Sequence, residues 1–189
     1  ECGYRTWEGR ASPNSANNAA SSKEHLAYFI TNTNMSFAQK DDSFWMSQAF
    51  KLAEKAFSID EVPVGAVVVC YDRIIGKGYN QCESLKDATA HAEVLAISAA
   101  SNTLDNWRLN ECEIYVTKEP CVMCAGAIIN SRIKRVIFGA YDYKRGACSS
   151  LYQICGDKRL GSTTFVNGGI MEKECSTILK EFFSLKRDS

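Results

Sequence analysis

The order of apolar segments predicts an α/β fold, a mixed five-stranded sheet covered by helices on both faces. Two observations carry this. Val62–Cys70 and Ile74–Tyr79 are apolar runs of strand length, joined across Tyr71-Asp72-Arg73, which reads as a hairpin. After that hairpin, helical and strand patterns alternate to the end of the chain.

Each element has its own warrant. Asp41-Asp42-Ser43 offers caps for a first helix, with Met46, Ala49, Phe50, Ala53 and Phe57 at helical spacing. The run from Val62 to Cys70 is a buried strand, and Ile74 to Tyr79 is its partner. Ala90 to Ala100 is rich in Ala, Leu and Ile and free of Gly and Pro, so a helix is expected there. Glu113 to Lys118 is the third strand. Pro120 suits the opening of the next helix, which runs to about Asn130, because its missing N–H is no loss in a first turn. Arg135 to Ala140 is the fourth strand, followed by a loop and short helix around Tyr141 to Cys155. Thr163 to Val166 is the fifth strand. Glu172 to Lys186 is a final amphipathic helix carrying Ile178, Leu179, Phe182, Phe183 and Leu185.

The chain has 189 residues, 46% hydrophobic and 23% charged, which suits one domain with a sizeable core. Residues 1–34 are set apart: Glu1 to Lys23 is rich in Ser, Asn and Ala and buries too little to order itself. They read as a disordered or non-native extension, with His25 solvated within it, and 35–189 as the working domain. Acidic Glu1, Glu8 and Glu24 weigh against a transit peptide, and the Asn34-Met35-Ser36 sequon against the cysteine content is expected to be unused. The formal net charge is zero, which excludes a global basic field drawing the chain to nucleic acid. From Ser131 onward, however, eleven basic residues face six acidic ones.

Nine cysteines cannot all pair within one chain, and free thiols point to a reducing compartment, the cytoplasm or, with a transit peptide, an organelle. Cys70, Cys112 and Cys175 lie in apolar runs and read as small core residues. No apolar segment approaches the roughly 20 residues that span a bilayer, so no membrane association is expected.

The chemistry is concentrated in two short runs. The first is His91-Ala92-Glu93; the second is Glu119-Pro120-Cys121-Val122-Met123-Cys124. One imidazole and two thiolates make three ligands for one Zn2+ per chain. A structural zinc site closes the tetrahedron with a fourth protein ligand, whereas a catalytic one leaves that position to water. Cys121 and Cys124, spaced i, i+3, share one side of a helix start, whose dipole favours thiolates. Glu93 is placed to move protons between water, ring nitrogen and departing amine. A redox pair leaves His91 and Glu93 unexplained, and a zinc knuckle lacks its second C-x-x-C. The H-x-E…P-C-x-x-C pattern is the signature of zinc-dependent nucleobase deaminases.

From about Phe44 to Phe183 the chain resembles the bacterial tRNA-specific adenosine deaminases. The matching runs include Glu61 to Ala66, Gly78-Tyr79-Asn80, Thr89 to Glu93, Tyr115-Val116-Thr117, Glu119 to Ile129 and Phe138-Gly139-Ala140. The resemblance implies a cytidine-deaminase-like three-layer α/β/α fold, zinc, a homodimer, and conversion of adenosine to inosine at the wobble position of a tRNA anticodon stem-loop. It also implies that Asn80 hydrogen-bonds the target nucleoside and that Asp142 lies near the anticodon nucleotides. Read without it, Asn80 is a turn cap and Asp142 a turn residue. Phe182 and Phe183 can stack on loop bases, though helical spacing puts one of them in the core. Tyr141 stands where an arginine is familiar in that family, which alters one contact to the anticodon loop. Two rival readings remain: the same chemistry on a free base or nucleoside, and an inactive deaminase-fold subunit, against which the intact Glu93 argues.

Overall fold

The computed structural model describes residues 40–187, and the expectations for the first 34 residues, including His25 and Asn34, lie outside the described residues. Asp41 sits in extended conformation and accepts the Phe44 N–H at 2.8 Å, which starts α1 (Asp42–Ser58). The buried stripe of α1 is Trp45, Met46, Ala49, Ala53 and Ala56. Phe50 and Phe57, expected in that stripe, are half-buried at its edge.

β1 (Gly65–Cys70) is buried along its whole length and pairs antiparallel with β2 (Arg73–Tyr79). The strand begins three residues later than the apolar run. Pro63 has no N–H for a ladder, and the Val64 N–H turns back to the Val62 carbonyl at 2.7 Å. Tyr71 and Asp72 both have positive φ, 47° and 56°, as a two-residue hairpin turn of the twist-matched type requires. A single turn, α2 (Cys82–Leu85), follows β2 and was not expected from the sequence.

α3 (Ala92–Leu104) starts after His91 and ends at Asp105, which has φ 48°. Then come β3 (Cys112–Lys118), α4 (Val122–Asn130), β4 (Arg135–Ala140), β5 (Phe165–Gly168) and α5 (Glu172–Arg187). The connection from β4 to β5 holds two short 3-10 turns, Ile154–Gly156 and Lys158–Leu160, in place of the expected short helix. β5 lies two residues beyond the predicted strand. The buried Thr164 hydroxyl donates to the Ile133 carbonyl at 2.7 Å, and parallel pairing begins only at Phe165.

The sheet order is β2-β1-β3-β4-β5, antiparallel on the β2 side of β3 and parallel beyond it. α1 packs on β1 and β3, α5 on β4 and β3, and these two helices touch. α3 packs on β2 and β1 and touches α4. Glycine sets the helix–sheet spacing on both faces. A Cβ on Gly65 would lie 2.2 Å from the Ala49 carbonyl of α1, and one on Gly78 would lie 2.2 Å from the Ala92 carbonyl of α3. Side chains at 65 and 78 emerge on opposite faces by strand register, so the three-layer order is written into these small residues. No helix among the described residues is long and apolar enough to cross a membrane.

A candidate metal centre at two helix starts

His91 and Cys121 are the residues immediately before α3 and α4, both in extended conformation. An N-cap side chain commonly bonds back to its own helix, but neither of these does. Both turn toward each other, and Cys124, one turn into α4, completes the group. Cys121 Sγ and Cys124 Sγ are 3.7 Å apart, Cys121 Sγ and His91 Nδ1 3.7 Å, and Cys124 Sγ and His91 Nδ1 3.4 Å. Zn–S bonds of about 2.3 Å and Zn–N bonds of about 2.0–2.1 Å at tetrahedral angles give edges of about 3.8 Å for S···S and 3.6 Å for S···N. The observed triangle fits a tetrahedral ion of that size, with Nδ1 as the histidine donor. Among the described residues this is the group of His, Cys and acidic side chains close enough to share an ion.

The protonation pattern of these three side chains is asymmetric. Cys121 is pulled down to about 3, chiefly by the hydrogen bond from Cys124 and, against burial, by that from His91. Cys124 is pushed up by the same bond and by its burial. His91 is raised, first by its bond to Cys121. A thiolate at Cys121 is what the positive end of α4 favours. Glu93, in the first turn of α3, is only 4% exposed. Burial pushes its carboxyl up, against the pull of hydrogen bonds and of His91. A carboxyl raised in this way holds a proton closer to neutral pH than a surface glutamate does.

Asn80 immediately follows β2 and is 7% exposed. Its Nδ2 donates to Glu61 Oε2 at 3.0 Å, and its Oδ1 accepts from the Cys82 thiol at 3.6 Å. Glu61 is 1% exposed, and its Oε1 accepts from the Ser84 N–H at 2.8 Å and the Ser84 hydroxyl at 2.9 Å. Asp142, just after β4, ion-pairs with Lys118 at the end of β3. Its Oδ1 accepts the Lys144 and Arg145 N–H groups at 3.0 and 3.1 Å. In this state the Asp142 carboxylate shapes its own loop.

These groups share one cavity of about 820 Å³. Asn80, His91, Glu93, Cys121 and Asp142 line it, and Cys124 lies fully buried behind them. Lys118, Lys144, Arg145, Lys180, Lys186 and Arg187 give it a basic wall. Phe183 is exposed on that wall, while Phe182 is buried against Phe57, so the pair divides between surface and core as expected. Tyr141 is held edge-on to Phe138 and stacks on the exposed Tyr143. Cys70, Cys112 and Cys175 are buried core residues, as the sequence indicated.

Three contributors were not singled out from the sequence. Glu61 and Lys118 are two of them. The third is Glu119, 2% exposed, which accepts the N–H groups of Asp142, Cys148, Ser149 and Ser150 and the Ser150 hydroxyl. It ties the loop bearing Asp142 to the strand end beside Cys121. Each follows or precedes a motif, but an acidic or basic letter does not disclose that it is buried and fully bonded.

Residues 40–187 match the family model of the MafB19-like deaminases. A tRNA-specific adenosine deaminase of Haemophilus influenzae is 45% identical over 148 residues, covering 78% of this chain and 86% of that protein. A solved structure from work on A-to-I editing by tRNA:A34 deaminases superposes with a TM-score of 0.69 at 40% identity, covering 71% of this chain and 98% of the other. The guanine deaminase of Bacillus subtilis gives 0.52 at 29% identity, over 65% of this chain and 90% of that one.

Proposed function

Because this chain belongs to the family of tRNA-specific adenosine deaminases, within the MafB19-like deaminases, we propose that it hydrolyses adenosine to inosine at the wobble position of a tRNA anticodon. The observation that carries the reading is the His91–Cys121–Cys124 triangle, sized for a tetrahedral ion, with Glu93 buried beside it in a basic-walled cavity.

His91, Cys121 and Cys124 hold one zinc ion in this reading. When bound, zinc supplies a Lewis acid that lowers the pKa of a water ligand towards about 7. Glu93 takes a proton from water and delivers it to the ring nitrogen of adenine, then carries the remaining hydroxyl proton of the C6 adduct to the departing amine, so that water and adenosine become inosine and ammonia. Asn80 orients the nucleoside by hydrogen bonding. Asp142, through its pair with Lys118, holds the loop that borders the anticodon nucleotides.

An unpaired anticodon base can be splayed into the cavity at modest cost, and the basic wall suits the backbone phosphates that come with it. The rival substrate, a free base or nucleoside, gives those cations nothing to bind. A second copy of the chain is the proposed protein partner; Leu151, Tyr152 and Leu160, all exposed between β4 and β5, offer an apolar surface for it. The unpaired thiol ligands suit a reducing compartment such as the cytoplasm.

The test compares an adenosine-34 anticodon stem-loop, its guanosine-34 counterpart, and free adenosine, cytidine and guanine. Inosine is expected with the adenosine-34 RNA alone. Faster turnover of any free base or nucleoside overturns the substrate assignment.

A further inference from the structure

Glu61 lies in the connection between α1 and β1, 19 residues before Asn80, yet the two side chains meet in a buried hydrogen bond. An amide is nearly the same shape either way round, so its neighbours decide which end points where. Here the decision is forced. Both Ser84 donors occupy Glu61 Oε1, and an ionised carboxylate only accepts, so the atom of Asn80 that faces Oε2 must be Nδ2. Oδ1 is thereby left on the other side, where its contact is the weak Cys82 thiol at 3.6 Å. Cys82, Asn80 and Glu61 all line the same cavity as His91 and Glu93.

We propose that Glu61 is a positioning residue that fixes the Asn80 amide with Oδ1 presented to the cavity, so that the site selects a hydrogen-bond donor on the target nucleoside, a hydroxyl or an amine. The inference rests on the reading of Asn80 as a nucleoside contact. It adds to that reading a polarity for the contact and a residue that sets it. Ser84, on α2, is part of the device, because its two donors keep Glu61 Oε1 from turning toward Asn80.

Two single variants and their combination test it. In Glu61→Gln the side-chain NH2 faces Asn80, which lets the amide turn over and offer its own NH2 to the substrate. In Asn80→Asp two carboxylates face each other. Each change is expected to lower kcat/KM on the adenosine-34 stem-loop roughly ten- to a hundredfold, chiefly through KM, by leaving one buried polar contact mismatched. The double variant Glu61→Gln/Asn80→Asp restores the pattern: the Gln NH2 donates to one Asp oxygen and the other oxygen accepts from the nucleoside. Its kcat/KM is expected to exceed that of either single variant, with bound metal equal in all proteins compared and each assayed well below its own melting temperature. A double variant no better than the worse single one overturns the inference.

A readout without substrate separates this from failure of the substrate reading. In the resting wild-type protein, one side-chain amide proton of Asn80, assigned by its loss in Asn80→Asp, is expected to be displaced by its bond to Glu61. That displacement is expected to vanish in Glu61→Gln. Unchanged Asn80 amide resonances in Glu61→Gln overturn the inference even if the wild type edits the stem-loop. Absence of inosine with the wild type overturns the substrate reading while leaving the amide experiment decisive.

Discussion

Replacing Glu119 by Gln changes one atom and should loosen the loop from Asp142 to Ser150. The wild-type carboxylate accepts on both sides. Oε1 takes the N–H groups of Cys148 at 3.2 Å, Ser149 at 2.7 Å and Ser150 at 2.8 Å. Oε2 takes the Asp142 N–H at 3.0 Å and the Ser150 hydroxyl. A glutamine must put its NH2 at one of these positions. The less costly choice is the Oε2 side, where the Ser150 hydroxyl can rotate and accept. The Asp142 N–H then faces another donor, and an unsatisfied buried group costs about 1–3 kcal/mol. The bonds kept on the other oxygen lose their charge assistance, which adds about 1–2 kcal/mol in all. A total of about 2–5 kcal/mol corresponds to a melting temperature lower by roughly 5–15 °C for a domain of this size. Urea unfolding of both proteins at one fixed, saturating zinc concentration measures it, because ligand binding otherwise shifts the apparent stability. Hydrogen exchange at Cys148, Ser149 and Ser150 should speed up, and metal content should hold, since no ligand comes from that loop. Stability within about 0.5 kcal/mol of wild type, with those amides still protected, refutes the reasoning.

Cys121→Ala and Cys124→Ala are each expected to drop metal content well below one zinc per chain; full occupancy by metal analysis in either variant removes the assignment. Glu93→Gln should lower single-turnover deamination by about 10²–10⁴ or more with zinc and RNA binding kept, and a rate within tenfold of wild type contradicts the proton-carrying role. Reversal of Lys186 and Arg187 to Glu should weaken RNA binding and flatten the dependence of log K on log salt by about 2, since two phosphate contacts are lost. Lys186 pairs with Asp60 across exposed side chains, so folding should be nearly unchanged, which far-ultraviolet dichroism checks. Burial pushes the Glu61 carboxyl up, but the bonds from the Ser84 N–H and hydroxyl, the Glu83 N–H and Asn80 together outweigh it and hold the group below its ordinary value. Its contribution to stability is then present above the unfolded value near 4.3 and lost as pH falls through the folded one, so Glu61→Gln should lose stability at neutral pH and show a shallower acid limb in unfolding measured against pH.

The fold was legible where one physical constraint acts over several consecutive residues. β4 matches its apolar run at both ends, and α5 differs from its amphipathic pattern by one residue. Boundaries moved where a single atom decides. Pro63 has no N–H to give β1, and helix starts fall at His91 and Cys121 because those residues take extended backbone and turn their side chains toward each other instead of capping their own helices. The grouping of His91, Cys121 and Cys124 was legible for a related reason. Metal coordination admits few residue types, and their spacing on helix starts is short enough to see in the sequence. Glu61 and Glu119 were not legible as parts of the site because what makes them so is the convergence of distant donors: Ser84 and Asn80 on one, residues 142–150 on the other. A buried carboxylate with three or more donors is spelled with the same letter as a surface one. Asp142 shows the converse. The family resemblance gives it a place at the anticodon, but its oxygens are taken by Lys118 and by the N–H groups of Lys144 and Arg145. Any direct contact it makes to RNA must therefore compete with an ion pair whose partner, Lys118, is itself a cation on the cavity wall. Removing that cation separates the two roles. In Lys118→Met, Asp142 keeps both loop N–H bonds while its second oxygen is released. If the carboxylate serves only to shape the loop, RNA affinity falls by no more than the loss of one cation allows. If its free oxygen meets a donor on the RNA, the variant binds the stem-loop more tightly than that charge loss predicts, and Asp142→Asn in the Lys118→Met background reverses the gain.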